Sequence, residues 1–367
     1  MDFILTSSLA LIVLFWVLGG RKKPIVFLRF SSVLLLILIG LRHDFCFMDS
    51  LSYVEDYHQT HNLSFYRIPA FFSKDILYWY VVKIFNIIFF DDATAFKLVN
   101  AFVFIFLYYK VISKYSKDYF LSILLYFTLG FFIFCLCGAR QTYSLALCLY
   151  SLNYILDKKF LKFLICVLLA ALFHSSAIVF LIAWPLSRVK LKKMTFLIYL
   201  AVFVVINIFG AIFYMEIVQF CIDYVDEARF AHYLTDDRQM SYSGLIQQGI
   251  LFIISLTLLR RNIKEPFVSL LLQIAIIGIF FQLYSAFIAE FFRVSMYFSI
   301  FYTILLPYAL YRSKLKVKKL LHLFICMLLV AYCVASQNLG FHYDYHFFFE
   351  NLPNSEFVKI NAFAIRD

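Results

Sequence analysis

Residues 74–90 read KDILYWYVVKIFNIIFF, and whether this run crosses a membrane decides the side on which every later loop lies. The run is apolar and aromatic, but Lys83 and Asn86 interrupt it. A spanning helix needs about 20 apolar residues and tolerates charge poorly. Around it lie cleaner runs at about 3–20, 25–41, 93–112, 118–137, 140–156, 160–173, 175–187, 194–214, 244–259, 266–287, 292–311 and 320–336. Between these, basic residues cluster at 21–23, 110–117, 158–162, 188–193, 260–264 and 312–319. If 74–90 stays on one side, all six clusters face the cytoplasm, as the positive-inside rule requires. If it crosses, the strongest clusters face outward. The run is therefore read as an interfacial or re-entrant helix. The expected fold is an all-α polytopic membrane protein with about twelve transmembrane helices, that one extra helix, and both termini outside.

Composition agrees. The 367 residues are 64% hydrophobic and only 15% charged, whereas soluble domains carry about a quarter charged residues. The formal charge of +11 sits in short clusters between apolar runs, so it argues for membrane orientation and against nucleic acid. Residues 1–367 read as a single integral membrane domain, with a first outside loop at 42–73, a second at 214–243 and an outside tail at 337–367. The acidic residues Asp44, Asp49, Glu55 and Asp56 fall in the first loop, and Glu216, Asp223, Asp226, Glu227, Asp236 and Asp237 in the second. The first apolar run lacks a basic start, so it reads as a retained span rather than a cleaved signal. With no P-loop motif, an ATP-driven motor is not expected. The eight cysteines include no C-x-x-C pair, and neither a metal nor a cofactor is expected. Cys46 and Cys221 lie in the outside loops, and their pairing is left open.

One histidine stands out in LLAALFHSSAIVFLIAWP, residues 168–185. Each arm flanking His174 has about 13 residues, or about 20 Å of helix, short of the roughly 30 Å hydrocarbon core. The turn at His174 should then lie below the outer surface, in a cavity open to the outside. There it is a candidate proton handler or phosphate ligand; the alternative is a histidine that satisfies Ser175 and nearby carbonyls in a tight turn. Arg42, Asp44 and Asp49 stand just outside one span, Arg140 and Gln141 at the outer end of another, and Glu290 and Arg293 at a third. Arginines at an interface can snorkel to headgroups, but three beside a histidine suit phosphate, which guanidinium forks bind bidentately.

On these residues the chain resembles the Wzy-type polysaccharide polymerases, in particular the EpsG-like family. The shared pattern is Arg42 followed by Asp49 and Tyr53; Arg140 and Gln141 followed by Ser144 and Ala146; Phe173, His174, Ser175, Ser176 and Ala177; and Arg293 with Tyr297, Phe298, Pro307 and Tyr308. Phe47 and Met48 precede Asp49 where the family often has glycine, so either Asp44 or Asp49 fills the family's acidic position.

The resemblance implies an enzyme of the bacterial inner membrane. It would join oligosaccharide repeat units carried on undecaprenyl diphosphate into O-antigen or capsular polysaccharide at the periplasmic face. Its partners would be that lipid-linked oligosaccharide, membrane lipid and, if chain length is regulated, a co-polymerase. Arg42, Arg140 and Arg293 would bind the diphosphate. His174, Asp49 and Glu290 are the catalytic candidates, with His174 favoured as base, and Asp44, Tyr53, Gln141 and Ser175 would orient substrate. Two rival classes share these features. A lipid-linked oligosaccharide flippase should show internal repeats, and none is found. An O-antigen ligase or other membrane transferase usually carries one dominant late outside loop, whereas the large loops here are early and central.

Overall fold

The computed structural model describes residues 3–44, 46, 48–72, 74–224, 242–286, 288–336 and 345–350, and every described element is helical. Asp226, Glu227, Asp236 and Asp237, and the tail 337–367 apart from 345–350, lie outside the described residues. The chain divides into two compact units, residues 1–178 with 314–367, and residues 179–313.

The first unit opens with α1 (Phe3–Phe15) and α2 (Pro24–Gly40), whose Pro24 occupies the first turn, where its missing N–H costs nothing. Then come the polar α3 (Met48–His61), a four-residue α4 (Ile68–Phe71) and α5 (Ile76–Ile88). α6 (Ala93–Tyr115) is capped by Asp92, which accepts from Thr94 and Ala95 N–H at 2.8 and 3.1 Å. α7 (Tyr119–Thr128) and α8 (Phe131–Cys137) form one apolar stretch bent by 55°. Gly130 sits at the bend with φ 78°, a backbone conformation that costs a side-chain-bearing residue energy. α9 (Ala139–Leu156) and α10 (Phe160–Phe173) pack closely together. The Ser144 hydroxyl donates to the Ala170 carbonyl at 2.7 Å, and the rings of Tyr143 and Phe173 stack at 4.9 Å. The helix stops at His174, whose backbone is extended, and the chain continues as a 3-10 helix over Ser175–Ile182, within which the second unit begins at residue 179, and α11 (Ala183–Leu186) of that second unit.

α5 is the run 74–90 on which the topology turns. Its 13 residues extend about 20 Å, less than the hydrocarbon core. Tyr78, Trp79, Val82, Lys83 and Asn86 form one buried face at helical spacing, while Ile84, Ile87 and Ile88 are exposed on the other. The two polar residues cap α3. Lys83 Nζ donates to the carbonyls of Thr60 and His61 at 2.9 and 2.8 Å, and Asn86 Nδ2 donates to that of Tyr57 at 2.8 Å. The Tyr57 carbonyl also accepts the Thr60 hydroxyl at 2.7 Å and the Thr60 carbonyl the Leu63 N–H at 3.2 Å, and the Lys83 cation meets the negative end of the helix dipole.

The second unit holds α12 (Lys193–Ile212), α13 (Tyr214–Tyr224), α14 (Ser243–Leu259), α15 (Pro266–Tyr284), α16 (Phe291–Ser299) and α17 (Tyr302–Arg312). Several of its buried polar groups are paired across helices. Gln248 donates to Gln282 and Ser295 at 2.9 and 3.1 Å, and Ser295 donates to the Gly278 carbonyl at 2.8 Å. Gln273 accepts from Tyr199 at 2.7 Å and donates to the carbonyls of Leu186, Val189 and Ser269. α18 (Lys318–Ser336) returns to the first unit and packs on α7, where His322 Nε2 lies 2.6 Å from Asp118.

Three described helices are long and apolar enough to cross a membrane: Ala93–Tyr115, Pro266–Tyr284 and Phe291–Arg312. The number reaches five if each bent pair is one span, and six shorter apolar helices accompany them.

Candidate functional site

The head of α5 carries the centre of the site. Asp75 precedes the helix in a left-handed conformation, φ 57° and ψ 42°, which aspartate tolerates better than most residues and which clusters at functional positions. Its carboxylate is buried and fully engaged. Oδ1 accepts the Ser175 backbone N–H at 3.1 Å. Oδ2 lies 3.1 Å from His174 Nδ1 and 3.2 Å from Arg140 Nη1. Burial alone would raise the Asp75 pKa. The hydrogen bond and charge of His174, followed by Arg140 and the Ser175 N–H, outweigh burial and hold the carboxyl below its ordinary value.

Asp75 therefore orients His174. A carboxylate facing Nδ1 fixes the proton on that nitrogen and leaves Nε2 as the basic one. The imidazole is set in place from behind as well, because the His174 N–H closes α10 on the Ala170 carbonyl at 2.9 Å.

Arg140, in the first turn of α9, completes the cluster. Its Nε donates to the Tyr53 hydroxyl at 3.2 Å, and its guanidinium lies 5.6 Å and 5.7 Å from the ring centres of Tyr53 and Trp79. Such stacking fixes the plane of the fork. The side chain remains 34% exposed, against 14% for His174 and 3% for Asp75, so the cluster is reached from the Arg140 side. Gly138 makes this corner: a Cβ there would sit 2.7 Å from the Phe134 ring. Asp56 on α3 feels the Arg140 charge, but burial, the larger effect, raises its carboxyl pKa.

The site thus joins Arg140, His174, Ser175 and Tyr53 from the residues singled out in the sequence. Gln141 is buried in α9 beside them. Arg42 is buried, donates through Nη1 to the Ile39 carbonyl at 2.6 Å, and lies within electrostatic reach of the Tyr78 hydroxyl, as does Arg140. Asp44 is ion-paired with the buried Lys97, whose Nζ also donates to the Arg42 carbonyl at 2.7 Å. Asp49 lies in the first turn of α3, with its side chain outside the described residues. Glu290 and Arg293 belong to the second unit, at the start of α16, where the Arg293 N–H donates to the Glu290 carbonyl at 3.0 Å. Cys46 is a buried free thiol that donates to the His346 carbonyl at 3.2 Å, and the Cys221 side chain lies outside the described residues. Among the described residues no group of three or more His, Cys, Asp or Glu is placed to hold a metal ion.

Sequence reasoning missed Asp75, Trp79 and Lys97. Asp75 stands 99 residues from His174, so no local spacing joins them. The available signal was an aspartate and a lysine immediately before an apolar run too short to span.

A buried carboxylate–histidine pair stands beside a partly exposed arginine on the apolar all-helical scaffold of a membrane protein, an arrangement with the chemistry of proton transfer. The EpsG family model matches residues 25–350, and the chain belongs to that family. No curated protein and no solved structure matches the chain.

Proposed function

We propose that this protein is a polysaccharide polymerase. It joins oligosaccharide repeat units carried on undecaprenyl diphosphate at the periplasmic face of the inner membrane, through twelve crossings with both termini outside. The observation that carries the reading is the Asp75–His174 pair with Arg140 on the same carboxylate.

In the proposed step, a hydroxyl at the non-reducing end of one lipid-linked unit attacks the anomeric carbon of the growing chain. The new C–O bond forms as the bond from that carbon to the diphosphate oxygen breaks, and the lipid diphosphate departs. His174 Nε2 takes the hydroxyl proton, and ionised Asp75 stabilises the imidazolium that results. The leaving diphosphate develops charge, which Arg140 meets with its guanidinium fork; Arg293, which the sequence also assigns to the diphosphate, lies in the second unit. Arg42 adds positive potential from the protein interior. Asp49 and Glu290 are the alternative bases, and Asp44, Tyr53, Gln141 and Ser175 orient substrate.

Glycan analysis of a strain lacking this protein tests the reading. Surface lipid bearing a single repeat unit supports a polymerase. Absence of any repeat unit points instead to a flippase or a ligase.

A further inference from the structure

The segment that carries Arg42 is held from two distant parts of the chain. Residues 345–350 cross it, with an antiparallel bridge between Arg42 and Phe347. The Phe348 N–H donates to the Leu41 carbonyl at 2.9 Å, and the His43 N–H donates to the His346 carbonyl at 2.8 Å. Hydrogen bonds that flank the bridge in this way make Arg42 and Phe347 a non-hydrogen-bonded pair, the kind in which two chains approach most closely. The buried Tyr345 donates its hydroxyl to the Leu38 carbonyl at 2.5 Å, near the end of α2. The buried Cys46 thiol donates to the His346 carbonyl at 3.2 Å and accepts the His346 N–H at 3.1 Å. The tail segment keeps its own shape through Glu350, which accepts the Phe347 N–H at 2.8 Å and lies 2.9 Å from His346 Nδ1.

Lys97 of α6 holds the same segment independently. Its buried Nζ donates to the Arg42 carbonyl at 2.7 Å and pairs with Asp44. Three successive residues, Leu41, Arg42 and His43, thus each have a backbone group bonded to α6 or to the tail, groups that a surface loop could leave to water. The Arg42 side chain is directed in turn by its bond to the Ile39 carbonyl, and it shares the Tyr78 hydroxyl as a neighbour with Arg140. A side chain whose backbone is fixed this way is preset in direction, so its charge is ready without rearrangement.

We infer that residues 345–350 and Lys97 form a clamp that positions Arg42, all within the first unit. The clamp's effect on repeat joining rests on the polymerase reading, and its hold on the loop does not.

Two arms test it with the full-length protein. In detergent, with Cys46 as the sole cysteine, the thiol should resist a maleimide. It should react about tenfold faster or more when residues 345–350 are replaced by glycine and serine, because labelling follows local opening. In liposomes carrying undecaprenyl-diphosphate-linked repeat units, Lys97→Met and Tyr345→Phe should each slow joining by about 2–10-fold, the range of one hydrogen bond's net contribution. Neither should slow it further in Arg42→Met, since a clamp acting through Arg42 then has nothing to position, whereas a general loss of stability would multiply. If Arg42→Met does not fold or joins nothing, the thiol arm and Lys97→Arg decide. Lys97→Arg can still donate to the Arg42 carbonyl and should join units faster than Lys97→Met. Equal labelling with and without the tail segment, unslowed joining in both variants, slowing that multiplies with Arg42→Met, or Lys97→Arg no faster than Lys97→Met would each overturn the clamp. Unjoined units from wild-type protein, with Cys46 protected only by the intact tail, would overturn the polymerase reading and support the clamp.

Discussion

Asp75 accepts three hydrogen bonds from side chain and backbone, and the carboxylate and its two side-chain donors each make a separate prediction. Asp75→Asn keeps the shape but loses the charge that sets the His174 proton on Nδ1. Polymerisation should fall by roughly 10²–10⁴-fold, the range for disabling a general base, with membrane levels unchanged on an immunoblot. His174→Gln retains hydrogen bonding without a base, so its glycan should also stop at one or very few repeats. Full-length polymer from His174→Gln would make His174 structural and move the base to Asp49 or Glu290. Arg140→Lys cannot keep both the Tyr53 and Asp75 contacts, because a single ammonium lacks the planar fork. Glycan length should therefore fall in Arg140→Lys as well, and normal length would show that positive charge alone suffices. The depressed pKa of Asp75 also fixes a pH dependence. Its stabilising contribution is present above the ordinary carboxylate value and is lost as pH falls through the folded one. The Tm gap between wild type and Asp75→Asn should therefore narrow as pH falls below about pH 4.

At the scale of the element, α5 separates what the sequence discloses from what it hides. Lys83 and Asn86 are visible in the sequence as anomalies in an apolar run, and they argue against a crossing. Their task, closing the last carbonyls of α3, depends on a contact between helices that no periodicity encodes. The break at His174 is legible too, because two short apolar arms flank a polar residue. Asp75 is not, since its meaning arises only when α5 lies against α9 and α10. If Lys83 serves as a cap, Lys83→Met removes its hydrogen bonds to the Thr60 and His61 carbonyls and costs about 1–3 kcal/mol, read as a lower Tm. A stability gain in Lys83→Met would instead mark α5 as a lipid-facing helix. Topology gives an independent check. Single cysteines at Gln59 and Phe90, in a cysteine-free background, should both react with a membrane-impermeant thiol reagent on intact spheroplasts. Labelling at 59 without labelling at 90 would make α5 a crossing and reverse every later loop.

Across the whole molecule, class and family were readable because they rest on features spread along the chain: apolar runs, basic clusters, and four short motifs in order. The position of the reacting groups was not, because it rests on one carboxylate brought from residue 75 to residue 174. The central claim is that this carboxylate–histidine pair drives the joining of lipid-linked repeat units. The most direct measurement reconstitutes the purified protein in liposomes with undecaprenyl-diphosphate-linked repeat units and no nucleotide sugar. The length distribution of the lipid-linked glycan is then compared between wild type and Asp75→Asn. The account predicts a ladder extending well beyond one repeat for wild type, and unjoined repeat units for Asp75→Asn at equal protein. Unjoined units with wild type, or the same ladder from both proteins, would contradict it.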